Sequence, residues 1–546
     1  MSKELNELRS QQDLEPRATS ITSTDSGLSP NVTGNTAQSS SAALMDDFDL
    51  SAESVEIGGT VISAEVAIDA FKMFASLYHP WFPILGPINI NTIYQSSPFL
   101  FWSIIGIVAT HTTIPLSEEL FNQIAIPFQN MVRTEALQAP LPLQKIQALL
   151  LLCVWPMPVT NQPRDPSWLY CGIAVNSALY LGLHRPGPPP SFRPIRLSVG
   201  TPLERIMTWL GCFYISGSVS MHLGVPAILN SSSDLARITA CLHDFPITRQ
   251  FAAEIKLQAI ITDFTNVLSH TANDGTIDSS ILQLLDRELD DLRTSYPDQW
   301  TRMLEYSTLV AKLHMYALVI SRDRTGNTAR NILLKLSLSA CLRIIFLANM
   351  RHNEEPFELY GLSAARLQRA LPKAHFKGLA FTTAFLLRYF SLNSAASAEE
   401  QQMAANHVVL AHSIFKSCSM HPRDEWGRVA GSFEELCQQS PVSITSQQVQ
   451  PGDRIGVTIL MDAMRLASGV RRDTTSNTEP LVQPTTQPIP IDPSMNSFDA
   501  FGVSMAQPLD LWGNEMTFSG QNWGDPFWDA FNFPFMTSQF SPRQDG

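Results

Sequence analysis

SWLYCGIAVNSALYLGLHRP, residues 167–186, reads as a helix with both ends marked. The preceding Asp165-Pro166 supplies an N-cap and a helix-starting proline, and Pro186-Gly187-Pro188-Pro189-Pro190 closes the run. Between them the apolar pattern extends to Leu183. Ala174, Ala178 and Gly182 recur at every fourth position and make a flat stripe that another helix can approach closely. His184 and Arg185 fall at the C-terminal end, where positive charge complements the helix dipole. The next helix opens as clearly, because Thr201-Pro202-Leu203-Glu204 is a capping box with proline at the first helical position. Its pattern carries Trp209 and Ser220 and runs to about Leu223, where Gly224-Val225-Pro226 follows.

The same texture extends in both directions. From about Val61 apolar residues recur at helical spacing, first at Val66, Ala67, Ala70, Phe71, Phe74 and Leu77, while prolines punctuate the blocks. Further helices are predicted over 253–270, 281–296, 308–321, 328–350, 373–393, 399–419 and 457–468. Strand-like alternation is rare and no regular internal period appears, which excludes an array of identical repeats. The fold expected is all-α: one large, irregular multi-helix domain over 60–470, flanked by disordered tails. Residues 1–55 are rich in Ser, Thr, Asn and Gln and read as a disordered lead. Residues 471–490 read as a polar linker.

Composition narrows the function. Of 546 residues, 44% are hydrophobic and only 16% charged, so much of the chain must bury a large core. The formal net charge of -13 repels phosphate, which argues against strong DNA binding by these residues alone. The longest apolar runs, 99–109 and 148–155, fall short of the roughly 18 residues a membrane span needs, so no membrane association is expected. The seven cysteines are scattered with no C-x2-C pair and read as reduced core residues. No H-E-x-x-H, G-x-S-x-G, P-loop or dinucleotide fingerprint occurs, so no catalytic residue, metal ligand or cofactor site is assigned and the chain is not expected to be an enzyme.

The last segment, 491–546, interleaves aromatic rings with Asp499, Asp510, Glu515, Asp525 and Asp529, and Arg543 is its one basic residue. Acidic spacing keeps large rings in water and free to dock into a groove on a coactivator, so Trp512, Trp523, Phe527, Trp528, Phe531 and Phe533 are candidate activation residues. A tether that packs these rings onto the helical domain fits the same pattern.

The helix ending Leu181-Gly182-Leu183-His184-Arg185, followed by the one ending Ser220-Met221-His222-Leu223-Gly224-Val225-Pro226, resembles the helical regulatory region of the fungal-specific transcription factor family. Phe74-Ala75-Ser76-Leu77-Tyr78-His79-Pro80-Trp81-Phe82-Pro83 and Gln147-Ala148-Leu149-Leu150-Leu151-Leu152-Cys153 look like earlier parts of the same region. The motif positions that carry the resemblance, in structural roles, are Trp168, Gly172, Ala174, Ala178, Gly182, Leu183, His184, Arg185, Trp209, Ser220, Gly224 and Pro226. Where the family commonly has an Asp-Arg pair and Gly-Arg-Pro, this chain has Ser216-Gly217 and Gly224-Val225-Pro226, so an ion pair there cannot form. The family usually carries a zinc binuclear cluster upstream, which needs six cysteine thiolates, yet no cysteine precedes Cys153.

The resemblance implies a nuclear transcriptional regulator. Its expected partners are a coactivator and a DNA-binding protein, or a zinc cluster on a missing upstream segment. Homo- or heterodimerisation, a small-molecule effector in an interior pocket and control of a secondary-metabolite gene cluster are further expectations from the family alone. An α-helical ligand-binding scaffold or enzyme with an apolar pocket is the alternative.

Overall fold

In a computed structural model of the chain, residues 48–111, 117–159, 164–185, 200–270, 279–322, 328–352, 362–393, 395–421 and 424–438 are described, together with 457, 460 and 463. The linker, the acidic aromatic tail and residues 1–47 lie outside the described residues, as does nearly all of the helix expected over 457–468.

The described fold begins with a hairpin that straddles the expected end of the lead segment at residue 55 and the expected start of the helical domain at 60. Strands β1 (Ser54–Ile57) and β2 (Thr60–Ser63) pair antiparallel with Ile57 opposite Thr60. Gly58 and Gly59 at φ 54° and 86° form the two-residue turn, a backbone that side chains other than glycine rarely adopt. Leu50, Val55, Ile57 and Ile62 are buried in the first core, which is why residues before Val61 join the fold.

Sixteen α-helices follow among the described residues. The first eight are α1 (Ala64–Leu77), α2 (Ile90–Ser96), α3 (Pro98–His111), α4 (Ser117–Glu135), α5 (Leu143–Val154), α6 (Ser167–Tyr180), α7 (Pro202–Leu223) and α8 (Ser232–Asp244). They enclose a core in which the expected face of α1, Ala67, Ala70, Phe71, Phe74 and Leu77, is buried. Helices α3 and α5 are buried on nearly every side, as all-round apolar sequences require.

The remaining eight are α9 (Arg249–His270), α10 (Ser279–Ser295), α11 (Arg302–Arg322), α12 (Thr328–His352), α13 (Ala364–Arg369), α14 (Lys373–Leu392), α15 (Ala398–Cys418) and α16 (Glu425–Gln438). They build a second core around Leu313, Ile344, Phe381, Phe385 and Phe415, joined by Leu460 and Ala463. Helix α9 serves both cores: Phe251 and Ile255 face the first, Leu257 and Ile261 the second. Helix α11 starts six residues before the periodicity suggests, because the Thr301 hydroxyl accepts the Leu304 N–H at 3.3 Å and caps an extra turn.

Helix α12 departs from the expectation that no apolar stretch approaches a membrane span. Its residues Ala329–Met350 are long and apolar enough by length and composition, with 56% of the window buried inside the fold. Leu334, Leu338, Cys341, Ile344 and Ile345 supply the buried side and belong to the second core.

Candidate regulatory core

The α6–α7 pair sits at the centre of the first core. Pro166 is itself the N-cap residue of α6 rather than its first helical residue, and Asp165 does the capping from one position earlier. Its Oδ1 accepts both the Ser167 N–H, at 3.0 Å, and the Ser167 hydroxyl. Ala174 and Ala178 are fully buried, but Gly182 does not continue their stripe. The helix ends at Tyr180 and Gly182 adopts φ 65°, with its N–H bonded to the Leu179 carbonyl and the Leu183 N–H to the Ala178 carbonyl. This pair of hydrogen bonds is a Schellman cap, and the glycine is where the left-handed residue must stand.

The capping box of α7 forms as read: Thr201 Oγ1 accepts the Glu204 N–H and the Glu204 carboxylate accepts the Thr201 N–H at 2.8 Å. One turn on, buried Arg205 donates from Nη2 to the Gly182 carbonyl at 2.7 Å, tying the start of α7 to the end of α6. Trp209 is completely buried with its ring 5.7 Å from that of His184. Arg185 Nε donates to His184 Nε2 at 3.0 Å. Burial, then Arg185 and Arg237, hold the His184 pKa below its ordinary value. His184 is therefore a neutral packing and acceptor group and not the dipole-compensating cation the sequence suggests. Gly211 is needed for a close approach, since a Cβ there would lie 2.7 Å from Ile84 Cγ2.

The far end of α7 explains the Ser216 departure. Ser216 Oγ accepts the N–H groups of Ile228 and Leu229 at 3.0 and 3.3 Å, and Ser220 Oγ donates to the Pro226 carbonyl at 3.3 Å. With Gly224 as the left-handed cap at φ 65°, these bonds hold the loop that an ion pair cannot. Ala174, Ala178, Gly182, Leu183, His184, Trp209, Ser220 and Gly224 thus occupy packed or capping positions. Trp168 does not: it is 56% exposed, a Cβ on Gly172 would meet open space, and Arg185 and Pro226 lie at the surface.

Sequence reasoning missed a charged cluster that joins the two cores. Lys373 Nζ lies 3.3 Å from Asp165 Oδ2 and 3.0 Å from Glu425 Oε1, and Lys377 Nζ lies 4.0 Å from Asp165. Burial alone would raise the Asp165 pKa, but Lys373, Lys377 and the bonds from Ser167 outweigh it and hold the carboxyl well below the usual range. Lys373, with two carboxylates to oppose its burial, is held above its ordinary pKa, whereas burial pushes Lys377 down. Two lysines four apart in the apolar run 373–381 were the available signal. Alongside, Trp155 Nε1 donates to the Ala370 carbonyl at 3.0 Å and Arg428 Nη2 to the Val159 carbonyl at 3.1 Å.

A cleft opens between α7, α9, α11 and α14, lined by Tyr214, His222, Glu254, Tyr306, Ser307 and His375 among others. The sequence gives no motif for it, because its walls come from four helices.

Residues 71–246 match the family described as fungal specific transcription factor domain. That segment is similar to the family's domain. It is 30% identical over 253 residues to the transcriptional regulatory protein SEF1 of Candida albicans, covering 43% of this chain and 26% of that protein. It is 26% identical over 313 residues to the putative transcription factor SEF1 of Kluyveromyces lactis, covering 56% and 27%. It is also 25% identical over 323 residues to the regulatory protein LEU3 of Saccharomyces cerevisiae, covering 54% and 36%. In each case the match takes in roughly a quarter to a third of the relative's length. No solved structure matches the chain.

The family's zinc cluster finds no ligand set in these residues. Cys153, Cys171, Cys212, Cys241, Cys341 and Cys418 are buried free cysteines, Cys437 is exposed, and among the described residues no group of three or more His, Cys, Asp or Glu could hold a metal ion. The fungal domain match covers α6 and α7 whole and ends near the start of α9, yet Asp165, Trp155 and Val159 inside it are bonded to α14, Ala370 and α16 outside it.

Proposed function

We propose that this chain is a nuclear transcriptional activator in which residues 60–470 act as one regulatory unit and the acidic aromatic segment 491–546 recruits a coactivator. The observation that carries the first half is the buried Asp165–Lys373–Glu425 cluster, which welds the family domain to the helices that follow it. A buried charge cluster of this kind couples its elements because losing one partner strands the others. The second half rests on the ring and carboxylate pattern of the tail and on the similarity of the chain to regulatory proteins. With a net charge of -13, the chain reaches DNA through a partner protein or an upstream zinc cluster, and not through its own surface. By the habit of the family, the target genes belong to a biosynthetic cluster.

The test fuses the chain to a heterologous DNA-binding domain and measures a reporter. Replacing Trp512, Trp523, Phe527, Trp528, Phe531 and Phe533 with alanine should abolish activation and leave thermal unfolding of the helical domain unchanged. Activation that survives the replacement, or unfolding that shifts downward with it, refutes the recruitment role in favour of a tether.

A further inference from the structure

The cleft between α7, α9, α11 and α14 has a volume of about 40 Å³ and adjoins a second cavity of about 30 Å³, the two sharing Met221, Gln258 and Ile261 as a wall. Each has room for two or three water molecules or for the head group of a small ligand. No lysine or arginine lines either cavity, and Glu254 is the one carboxyl group in the lining. Its Oε1 accepts the Ser307 hydroxyl at 3.4 Å, and no ion pair opposes it among the described residues. Burial pushes the Glu254 carboxyl up to about 7, with the Ser307 bond opposing only in part. A carboxyl group half-buried without a cation is costly to ionise, and a ligand that brings the cation removes that cost.

The imidazoles of the lining add no positive charge, and Lys377 acts on His222 from outside the lining. Burial, then His314, Lys377 and His375, hold His222 well below its ordinary pKa, and burial holds His314 to about 3, so both imidazoles are neutral at physiological pH. His314 is buried and stacked on Phe381 at 3.9 Å, and neither of its ring nitrogens has a hydrogen-bond partner; His222 Nε2 also lacks one. A neutral imidazole offers an acceptor nitrogen as well as a donor. The aromatic component comes from Tyr214 and Tyr306, and the Tyr306 hydroxyl is already committed to the His375 carbonyl at 2.8 Å. A carboxylate, aromatic rings and neutral acceptors with no lysine or arginine in the lining favour a positively charged donor over an anion.

We propose that this cleft binds a small organic ammonium ion, its positive head paired with Glu254 between Tyr214 and Tyr306 and its body directed toward the uncharged polar wall of Gln258 and Thr262. Helix α9 carries Glu254 and packs into both cores, so an occupant braces the two halves of the fold against each other. That such bracing controls transcription rests on the function proposed above; the binding itself does not.

The experiment uses the purified full chain and three probes matched in size: n-butylammonium chloride, n-butanol and sodium butyrate, at equal ionic strength. Thermal unfolding and titration calorimetry should show binding of n-butylammonium with a Kd on the order of 1 mM, and no stabilisation by the alcohol or the anion. Glu254→Gln should weaken n-butylammonium binding by about tenfold or more while remaining folded. Ser307→Ala, which keeps the carboxylate, should bind within about threefold of the parent chain. Stabilisation by butyrate instead, undiminished binding by Glu254→Gln, or no response to n-butylammonium at concentrations well above 1 mM would each overturn the proposal. An ammonium ion that binds to a chain whose tail variants leave the reporter untouched refutes the transcriptional reading alone.

Discussion

Asp165→Asn is the substitution that tests whether the two cores act as one body. The side chain keeps its size and an oxygen for the Ser167 N–H, so the change removes charge and little else. At an effective dielectric near 20, a unit charge at the 3.3 and 4.0 Å separations from Lys373 and Lys377 is worth about 5 and 4 kcal/mol of attraction. Several kcal/mol of that return when a carboxylate no longer has to be stripped of water, which leaves a net loss of about 3 kcal/mol. Lys373 retains Glu425 at 3.0 Å and tolerates the change, whereas Lys377 loses the larger of the two carboxylate influences on it, keeps that of Glu425 and is pushed further toward the neutral amine.

That asymmetry fixes the pH signature. A lysine whose folded pKa is depressed binds fewer protons than in the unfolded chain, so stability rises with pH across the gap between the two pKa values. Urea unfolding of Asp165→Asn should therefore show a loss of about 3 kcal/mol at pH 7 that narrows toward pH 9. In the parent chain the depressed Asp165 carboxyl contributes stability above its unfolded pKa near 3.9, lost as pH falls below that value toward the folded pKa. The variant should lack this acid limb. A loss below about 1 kcal/mol, or a pH profile parallel to that of the parent chain, would refute the cluster as the weld between cores.

Two further outcomes follow from the site. Trp209→Ala should destabilise by about 3–5 kcal/mol in denaturant titration, because its ring is wholly enclosed, while Trp168→Ala at a 56% exposed position should stay within about 0.5 kcal/mol. Glu254→Gln should be more stable than the parent at pH 8 by about 2 kcal/mol and equal to it near pH 4, because a carboxyl raised from 4.5 to about 7 loses stability as pH rises through that window; a flat difference across the range would contradict it.

What could be read from the sequence was what is local. The Thr201–Glu204 box, the end of α7 near Leu223 and most helices of the second core involve residues three or four apart, and pattern alone places them. Gly182 misled for a physical reason: spacing of four puts it on the Ala174–Ala178 face, but the absence of a Cβ makes it the stop signal, and the chain turns at φ 65°. Pro166 misled likewise, since a proline beside an Asp fits either the cap or the first turn, and here it takes the cap. The hairpin before α1 was too short for its alternation of Val55 and Ile57 to stand out, though Gly58-Gly59 was a turn signal. The Asp165 cluster and the Glu254 cleft were beyond reach, because their partners come from helices 208 residues apart in one case and from four helices in the other.

The region that the family shares and the unit that the chain folds into are therefore different objects. The shared part ends at residue 246, but its buried Asp165 pairs with Lys373 and Lys377 beyond it, and its Trp155 indole donates to the Ala370 carbonyl. A fragment ending near residue 246 would take both lysines away from Asp165, which raises the cost of keeping that buried carboxylate ionised. The helices after α9 are thus what allows the motif pair to hold its charge in the core. Helix α9, which faces both cores and carries Glu254 on the cleft side, is a second element, beside the Asp165 cluster, through which a change in one half is felt in the other.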